Sequence, residues 1–388
     1  MMIVLAITGL ATSLLPAVMF LKNLPLFLFP MTVQQQGNSG TGDAAQDEAT
    51  GEIPGVSVLI PARDEEDGIS ASVQAALKSR GVAVEVLVLD DNSTDQTAVI
   101  VKGLSLSDSR VRYQLGGSLP DGWNGKQFAC TQLAASATHQ TLVFMDADVR
   151  LKPDALLRLV ECHAARKVDL LSVFPHQETG TILEKLIIPL MHFILLGFCP
   201  LERMRRSSSP SLAAGCGQLF LTTAEAYEKA GTHAAIRGSR HDGVKLPRAF
   251  RTVGLMTDVY DGSEMADCRM YHSAVEVVRG VLKNATEGLA NPKLILPFSL
   301  LLIGGSVLPL VVLVLALCTG NVVAAQVSGL AVFIGHFPRA LAAAKLRQPV
   351  LGVVCHAPAT LLFVGLQWVA LLNQLMGWQV AWRGRTSS

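Results

Sequence analysis

Paired cysteines are missing from this sequence. Its seven cysteines, at 130, 162, 199, 216, 268, 318 and 355, are odd in number, lie far apart and form no CxxC. That argues against a disulfide framework or a structural zinc site and fits a reducing compartment. Charge is scarce too: 16% of the 388 residues are Asp, Glu, Lys or Arg, against about 25% in an average soluble domain. With 32 basic and 31 acidic residues neither sign prevails, so there is no basic field for nucleic acid and no nucleic-acid partner is expected. A Walker phosphate loop is absent, because Lys126 in the stretch GWNGKQ is followed by Gln127 rather than Ser or Thr. Apolar residues, by contrast, make up 50% of the chain and collect at its two ends, around a soluble middle.

Residues 3–21 form an apolar run, close to the roughly 20 residues that a membrane-spanning helix needs. Lys22 follows the run and no basic residue precedes it, the reverse of the charge order in a signal peptide. The expected reading is an uncleaved anchor over 1–30 whose C-terminal side faces the cytoplasm, with a cleaved signal as the alternative. Residues 31–54 read as a flexible linker, since 34–52 hold no large apolar residue.

From Val56 short apolar runs alternate with helix-like stretches. The runs VSVLIP (56–61), VEVLVLD (84–90), TLVFMD (141–146) and DLLSVF (169–174) are apolar at nearly every position rather than every second one. Such strands are covered on both faces, as in a parallel sheet. With helical spacing over 66–79, 94–103, 125–137 and 153–166, the expected fold class is α/β: a Rossmann-like, mostly parallel sheet domain assigned to 55–290. Ligands bind beyond the carboxyl ends of such strands, where Asp90, Asp91, Asp146 and Asp148 all fall.

The stretch 182–200 is apolar but carries Glu184, Lys185, His192 and an internal Pro189, and RMRR follows at 203–206. It reads as a helix in the membrane interface, inside the catalytic domain, with a true span as the alternative. On that reading its apolar stripe leads a lipid to the site, and a charge at Ile187 or Phe193 should cut lipid use more than nucleotide binding. Three more apolar segments, at about 294–318, 322–344 and 349–377, make 291–388 a C-terminal transmembrane region. Arg339, Lys345 and Arg347 favour a cytoplasmic loop between the second and third. Three crossings would then place Arg383 and Arg385 outside, against the same tendency, and Pro349 and Pro358 leave a broken or re-entrant last segment open.

Four constellations carry chemistry. In LDDNSTDQT (89–97) a strand ends in Asp90 and Asp91, and Ser93, Thr94 and Asp95 open a helix. Carboxylates suit base or ribose donors and a helix start suits phosphate, while a plain N-cap by Ser93 or Thr94 is the simpler reading. In FMDADV (144–149) Asp146 and Asp148 stand two apart at a strand end, oxygen ligands of the kind Mg²⁺ or Mn²⁺ takes beside a diphosphate. In GWNGKQ (122–127) glycines allow a close backbone approach and Lys126 can meet a phosphate, or it is a solvated lysine in an ordinary turn. In Arg240-His241-Asp242-Gly243, Asp242 is a candidate base, though on these residues alone a turn aspartate is the stronger reading.

Together the motifs VSVLIPARDEED, VLVLDDNSTDQT and LVFMDADVRLKPDAL resemble the family-2 glycosyltransferases in order and spacing, over about 56–257. The resemblance implies a GT-A fold and a nucleotide-sugar donor, UDP- or GDP-linked. It assigns Pro61, Arg63 and Glu65 to the nucleotide pocket, Asp91 to the base of the nucleotide, and Asp146 and Asp148 to ribose, diphosphate and metal, with Asp148 as the metal ligand. Gly215 and Gly217 of GCGQLF (215–220) would border the donor sugar, and Asp242 takes the place of the catalytic base. GWNGKQFA, HDGVKLPRAF and CRMY look most like membrane-bound members that glycosylate lipids, of hopanoid-associated, carotenoid or ceramide type. Where polymer-extruding members carry Q-x-x-R-W, this chain reads Asp267-Cys268-Arg269-Met270-Tyr271. Arg269 remains available for diphosphate and Tyr271 for stacking, but a single transfer is the simpler expectation. The implied function is a multi-pass membrane enzyme with a cytoplasmic catalytic domain, moving one sugar with inversion onto a lipid, with Mg²⁺ or Mn²⁺ as cofactor. The alternatives are a nucleotidyltransferase of similar fold and a non-catalytic scaffold or transporter. A transporter is disfavoured because no acidic residue lies in the C-terminal spans.

Overall fold

The computed structural model describes residues 1–29 and 53–378. Most of the linker expected at 31–54 lies outside the described residues, as do Arg383 and Arg385. The chain divides into two compact units, one of residues 28–176 and 204–268, the other of residues 1–27, 177–203 and 269 onward.

The first unit is built on an eight-stranded sheet of order β3-β2-β1-β4-β7-β6-β8-β5. Its strands are β1 Gly55–Ala62, β2 Ala83–Asp90, β3 Val111–Leu115, β4 Thr141–Met145, β5 Val149–Leu151, β6 Leu170–Gln177, β7 Leu219–Thr223 and β8 Thr257–Cys268. The four runs expected as strands from their unbroken apolarity are β1, β2, β4 and β6, and their cores are buried on both faces. Helices α2 Ile69–Leu77, α3 Thr97–Ser107, α4 Gly125–Ser136 and α5 Ala155–Arg166 lie between strands, as the spacing predicts. β1 pairs in parallel with β2, from Gly55↔Ala83 to Ala62↔Asp90, and with β4 on its other side. The chain therefore turns to opposite sides of β1, and the crevice at that switch point is where ligands settle in open α/β sheets.

β7 runs antiparallel between β4 and β6, with Met145 opposite Leu219 and Leu170 opposite Thr222. This reversal has a local consequence. It brings the start of β7 beside the carboxyl end of β4, and the Asp146 amide donates to the Gln218 carbonyl at 3.0 Å. The edge strand β3 and the long β8 are not marked by apolar runs. β8 buries Asp258 and Asp261. Arg205 meets Asp258 at 2.8 Å, and Ser263 donates to Asp261 from both its amide and its hydroxyl.

The second unit is helical. It holds α1 Met2–Phe27, the short α6 Ile182–Ile187 and α7 Leu190–Phe198, and α11 Ala274–Ala285. It continues through α12 Ile295–Ser306, α13 Leu308–Cys318, α14 Val322–Lys345, α15 Leu351–Val354 and α16 His356–Leu375. Three of these, α1, α14 and α16, are long and apolar enough to cross a membrane, and α12 with α13 makes a fourth if counted as one span bent by 40°. The sequence division ran the catalytic domain to 290 and included 182–200, whereas contacts close the sheet unit at Cys268 and group 177–203 with the helices. The physical reason is that the apolar faces there are already used: α7 packs on α1, and α6 on α11 and α16. The stretch breaks at Pro189 into helices of 6 and 9 residues, each too short to cross a bilayer. Ile187 and Phe193, expected on a lipid-facing stripe, are buried at 1% and 2% exposure. A charge at either is expected to unfold this unit rather than to weaken lipid use selectively.

Candidate active site

The loops after β1 and β2 interlock through side chain to main chain bonds. Arg63 donates to the Asp91 carbonyl at 2.7 Å, and the Asp64 and Glu65 amides donate to Ser93 and Thr97 hydroxyls. In return the Thr94 amide donates to the Asp64 carboxylate at 2.7 Å. Asp64 holds a positive φ of 52° to make this contact, a conformation that aspartate tolerates better than most residues. Ser93 and Thr94 are thus not N-caps: α3 begins later, at Thr97, with Gln96 at the cap. The ties hold Arg63 and Glu65 against the loop that carries Asp91, just beyond Pro61, which pairs with Leu89 of β2. Asp91 is buried at 8% exposure.

Beyond β4 lies the charged centre. The Lys126 ammonium meets an Asp146 carboxylate oxygen at 2.5 Å, an Asp242 oxygen at 2.7 Å and the Gly217 carbonyl at 3.2 Å. Each partner has its own support. Lys126 is in the first turn of α4, whose N-cap Asn124 accepts from the Lys126 amide. Asp242 opens α10 Asp242–Thr252, and its second oxygen accepts from the Gly243 amide at 2.8 Å. Asp146 and Asp148 sit in the tight turn that joins β4 to β5, closed by Val149 donating to the Asp146 carbonyl. Lys126, Asp146, Asp242 and Gly217, singled out by four separate motifs, are therefore in direct contact.

The electrostatics follow from burial and from these contacts. Burial opposes the Lys126 charge, but Asp146 and Asp242 outweigh it and hold its pKa well above the usual value. Burial pushes the Asp146 carboxyl up to about 6, against Lys126 and with help from Asp148 and Asp242. Burial would raise Asp242 as well, yet Lys126, His233 and His241 hold it below the usual carboxylate range, so it is an ionised acceptor at neutral pH.

Glycine is required at two points. A Cβ on Gly217 would overlap the Asp242 carboxylate, and one on Gly215 would press on the Gly243 carbonyl and the Ser172 hydroxyl. Gly217→Ala is expected to push Asp242 off Lys126 and lower transfer by about 10²-fold, the usual cost of displacing a reacting group by about 1 Å. Near-normal turnover in a variant that unfolds at the wild-type temperature would refute this.

Gln218 and two thiols were not picked out from sequence. The Gln218 amide donates to Cys268 sulfur at 2.9 Å and its oxygen accepts from Cys216 at 3.2 Å. Burial pushes the Cys216 thiol up to about 12, so it is neutral packing rather than a nucleophile. Cys216 and Gln218 lie in the GCGQLF motif and Cys268 in the stretch 267–271, but neither pattern marks them as a cluster. Two expected site residues, Arg269 and Tyr271, belong to the helical unit. There Arg269 lies 4.0 Å from Glu184, and the Tyr271 ring packs against Gly280.

Among the described residues no group of three or more His, Cys, Asp or Glu side chains is placed to hold a metal ion. Asp146 and Asp148 nevertheless fit Mg²⁺ or Mn²⁺, because such ions commonly take one or two carboxylates and complete their shell with phosphate oxygens and water.

Residues 57–230 match the family described as Glycosyl transferase family 2. The 4,4'-diaponeurosporenoate glycosyltransferase of Staphylococcus haemolyticus (strain JCSC1435) is 26% identical over 243 residues, 61% of this chain and 62% of that protein. Its counterpart in Staphylococcus aureus (strain MRSA252) is 28% identical over 244 residues, with the same shares covered. The chain thus spans under two thirds of the length of these relatives. A mannosyltransferase of Pyrobaculum calidifontis, solved with GDP-Man and Mn²⁺, superposes with a TM-score of 0.54 over 96% of this chain and 99% of that one. At 16% identity that likeness is one of fold.

Proposed function

Because residues 57–230 match the family described as Glycosyl transferase family 2, we propose that the protein is a membrane-bound, inverting enzyme that moves one sugar from a nucleotide-sugar donor to a lipid hydroxyl. The observation that carries this reading is the contact of Lys126 with both Asp146 and Asp242 beside the carboxyl end of β4. In it the candidate base Asp242 and the donor-side candidate Asp146 each lie within hydrogen-bond distance of the same cation. Arg63, Glu65 and Asp91, with Pro61, take the nucleotide, and Gly215 and Gly217 leave room for the sugar.

Asp146, Asp242 and the Gly217 carbonyl together take up the three N–H bonds of the Lys126 ammonium. A donor diphosphate competes for that cation, so donor binding draws Lys126 off Asp242 and exposes the carboxylate oxygen to the acceptor. Asp242 then takes the proton of the acceptor hydroxyl as its oxygen attacks the anomeric carbon. The bond from that carbon to the diphosphate breaks, and the nucleoside diphosphate leaves with the electron pair. Asp148, with Asp146, would hold Mg²⁺ or Mn²⁺, which would offset charge on the leaving diphosphate.

A lipid acceptor is favoured by the three apolar helices of spanning length and by the carotenoid named for the relatives. The test is to incubate membranes containing the protein with several UDP- and GDP-sugars and to analyse the lipid extract by mass spectrometry. A hexose-shifted lipid is expected. Glycosylation of a soluble peptide or sugar, with no lipid product, would overturn the reading.

Lys22 in the C-terminal part of α1, Lys345 at the end of α14 and Arg347 just after it favour a cytoplasmic domain and a multi-pass topology. A cysteine placed at Ser39 should resist a membrane-impermeant thiol reagent in intact cells and react after permeabilisation. Labelling of intact cells would reverse the assignment.

A further inference from the structure

Arg339 was read from sequence as part of a basic loop, but it lies within α14 and is only 1% exposed. Its two terminal nitrogens donate to main-chain carbonyls, of Pro189 at 2.5 Å and of Gly352 at 3.1 Å. Its Nε is buried with no hydrogen-bond partner. No carboxylate among the described residues pairs with it, and the sequence explains why. α1 contains no acid, and none follows Glu287, so α12 to α16 contain none. Glu184, the buried acid of this unit, is committed to the Thr181 and Gly180 amides. Two neutral carbonyls solvate a guanidinium in part but do not neutralise it, and an unpaired charge among spanning helices is expensive.

The surroundings add a second buried nitrogen without a hydrogen-bond partner, a donor in the tautomer in which the Ser306 hydroxyl donates to the other ring nitrogen. His336, three residues before Arg339 on α14, meets His356 edge to face at 5.4 Å. His356 is fully buried; its Nε2 bonds to the Ser306 hydroxyl at 3.0 Å, and its Nδ1 is buried with no partner. What covers Arg339 is slight. α15 is a helix of 4 residues whose only buried member is Gly352, and a Cβ there would strike Arg339. Its neighbours Val350 and Val354 are 68% and 73% exposed. A ligand approaching from an apolar phase meets these side chains first.

We propose that Arg339, with His356 and Ser306, forms a binding site in the helical unit for the anionic group, carboxylate or phosphate, of a membrane-dissolved lipid. The anion takes the bonds that Arg339 Nε and His356 Nδ1 leave unused, and α15 shifts to admit it. A planar guanidinium suits both oxyanions. The site stands independently of the transfer reaction.

The test uses the full chain in neutral detergent, titrated with oleate, dioleoyl phosphatidic acid and oleyl alcohol, with the thermal midpoint as readout. One or both acidic lipids should raise the midpoint by about 5 °C at a hundredfold excess over Kd, and the alcohol should not. The oleate and phosphatidic acid arms tell a carboxylate source from a phosphate one. Arg339→Gln should abolish the shift, and Arg339→Lys should weaken binding by about tenfold or more. Equal shifts with oleate and oleyl alcohol in the wild-type protein would overturn the proposal and leave Arg339 a strap between two carbonyls. So would a wild-type response in Arg339→Gln. Should Arg339→Gln not fold, the wild-type comparison decides. Nucleotide binding in the same preparation tests the transfer reading separately.

Discussion

Asp242→Asn is expected to lower sugar transfer by about 10²–10⁴-fold, the usual contribution of a positioned base, while nucleotide-sugar binding changes by no more than a few-fold. The substitution suits the site. One carboxylate oxygen of Asp242 accepts from the Gly243 amide and the other meets Lys126. Asparagine keeps the first bond through its own carbonyl and so preserves the start of α10. In the second position it turns an NH₂ group toward the ammonium and the acceptor, and an amide nitrogen accepts no proton there. Folding should not suffer, because Lys126 between two carboxylates leaves one negative charge in excess and the substitution removes it. A pre-steady-state donor-binding measurement beside a turnover assay separates the two effects. Near-normal turnover would place the base elsewhere. Asp258 and Asp261 are poor substitutes, since Arg205 and Ser263 already occupy them.

Much of this centre is legible in the sequence, and the reasons are local. Strands β1, β2, β4 and β6 announce themselves because burial on both faces leaves no polar position, and Asp90, Asp91, Asp146 and Asp148 stand out by ending such runs. β3 is half-exposed at the sheet edge, and β8 carries buried acids, Asp258 met by the distant Arg205 and Asp261 by Ser263, so neither shows the period of a strand. The convergence of Lys126 on Asp146 and Asp242 depends on the reversal of β7, which no single motif encodes. The same holds for the segment 182–200: its apolar stripe is evident, but whether lipid or other helices cover it is decided by α1, α11 and α16. Arg339 shows the limit most clearly. A basic residue six positions before the end of a long helix reads as a loop marker, and only packing reveals it as a buried, unneutralised cation.

Removal of divalent metal should abolish turnover, and Asp148→Ala should reduce it by about 10³-fold or more, the rate equivalent of several kcal/mol of leaving-group stabilisation. Of the two acids in the turn after β4, Asp146 is engaged by an ammonium at 2.5 Å. The Asp148 main-chain oxygen accepts from Arg150, and its side chain acts on the buried Cys268 thiol. A thiol is a weak hydrogen-bond partner that yields readily to a hard cation with diphosphate oxygens on its far side. Asp146 and Asp242 share one ammonium, and Asp148 adds its charge to that of Asp146, negative charge that a divalent ion can use. The measurement is nucleoside diphosphate release from detergent-solubilised protein in excess EDTA, then with Mn²⁺ or Mg²⁺ restored. Activity should vanish and return. Asp148→Ala should keep the wild-type unfolding temperature, since alanine removes a charge that burial disfavours. Asp146→Ala should behave differently, because it also strips Lys126 of a partner and loosens Asp242. Full turnover in excess EDTA would remove metal from the mechanism and leave Lys126 to meet the departing diphosphate.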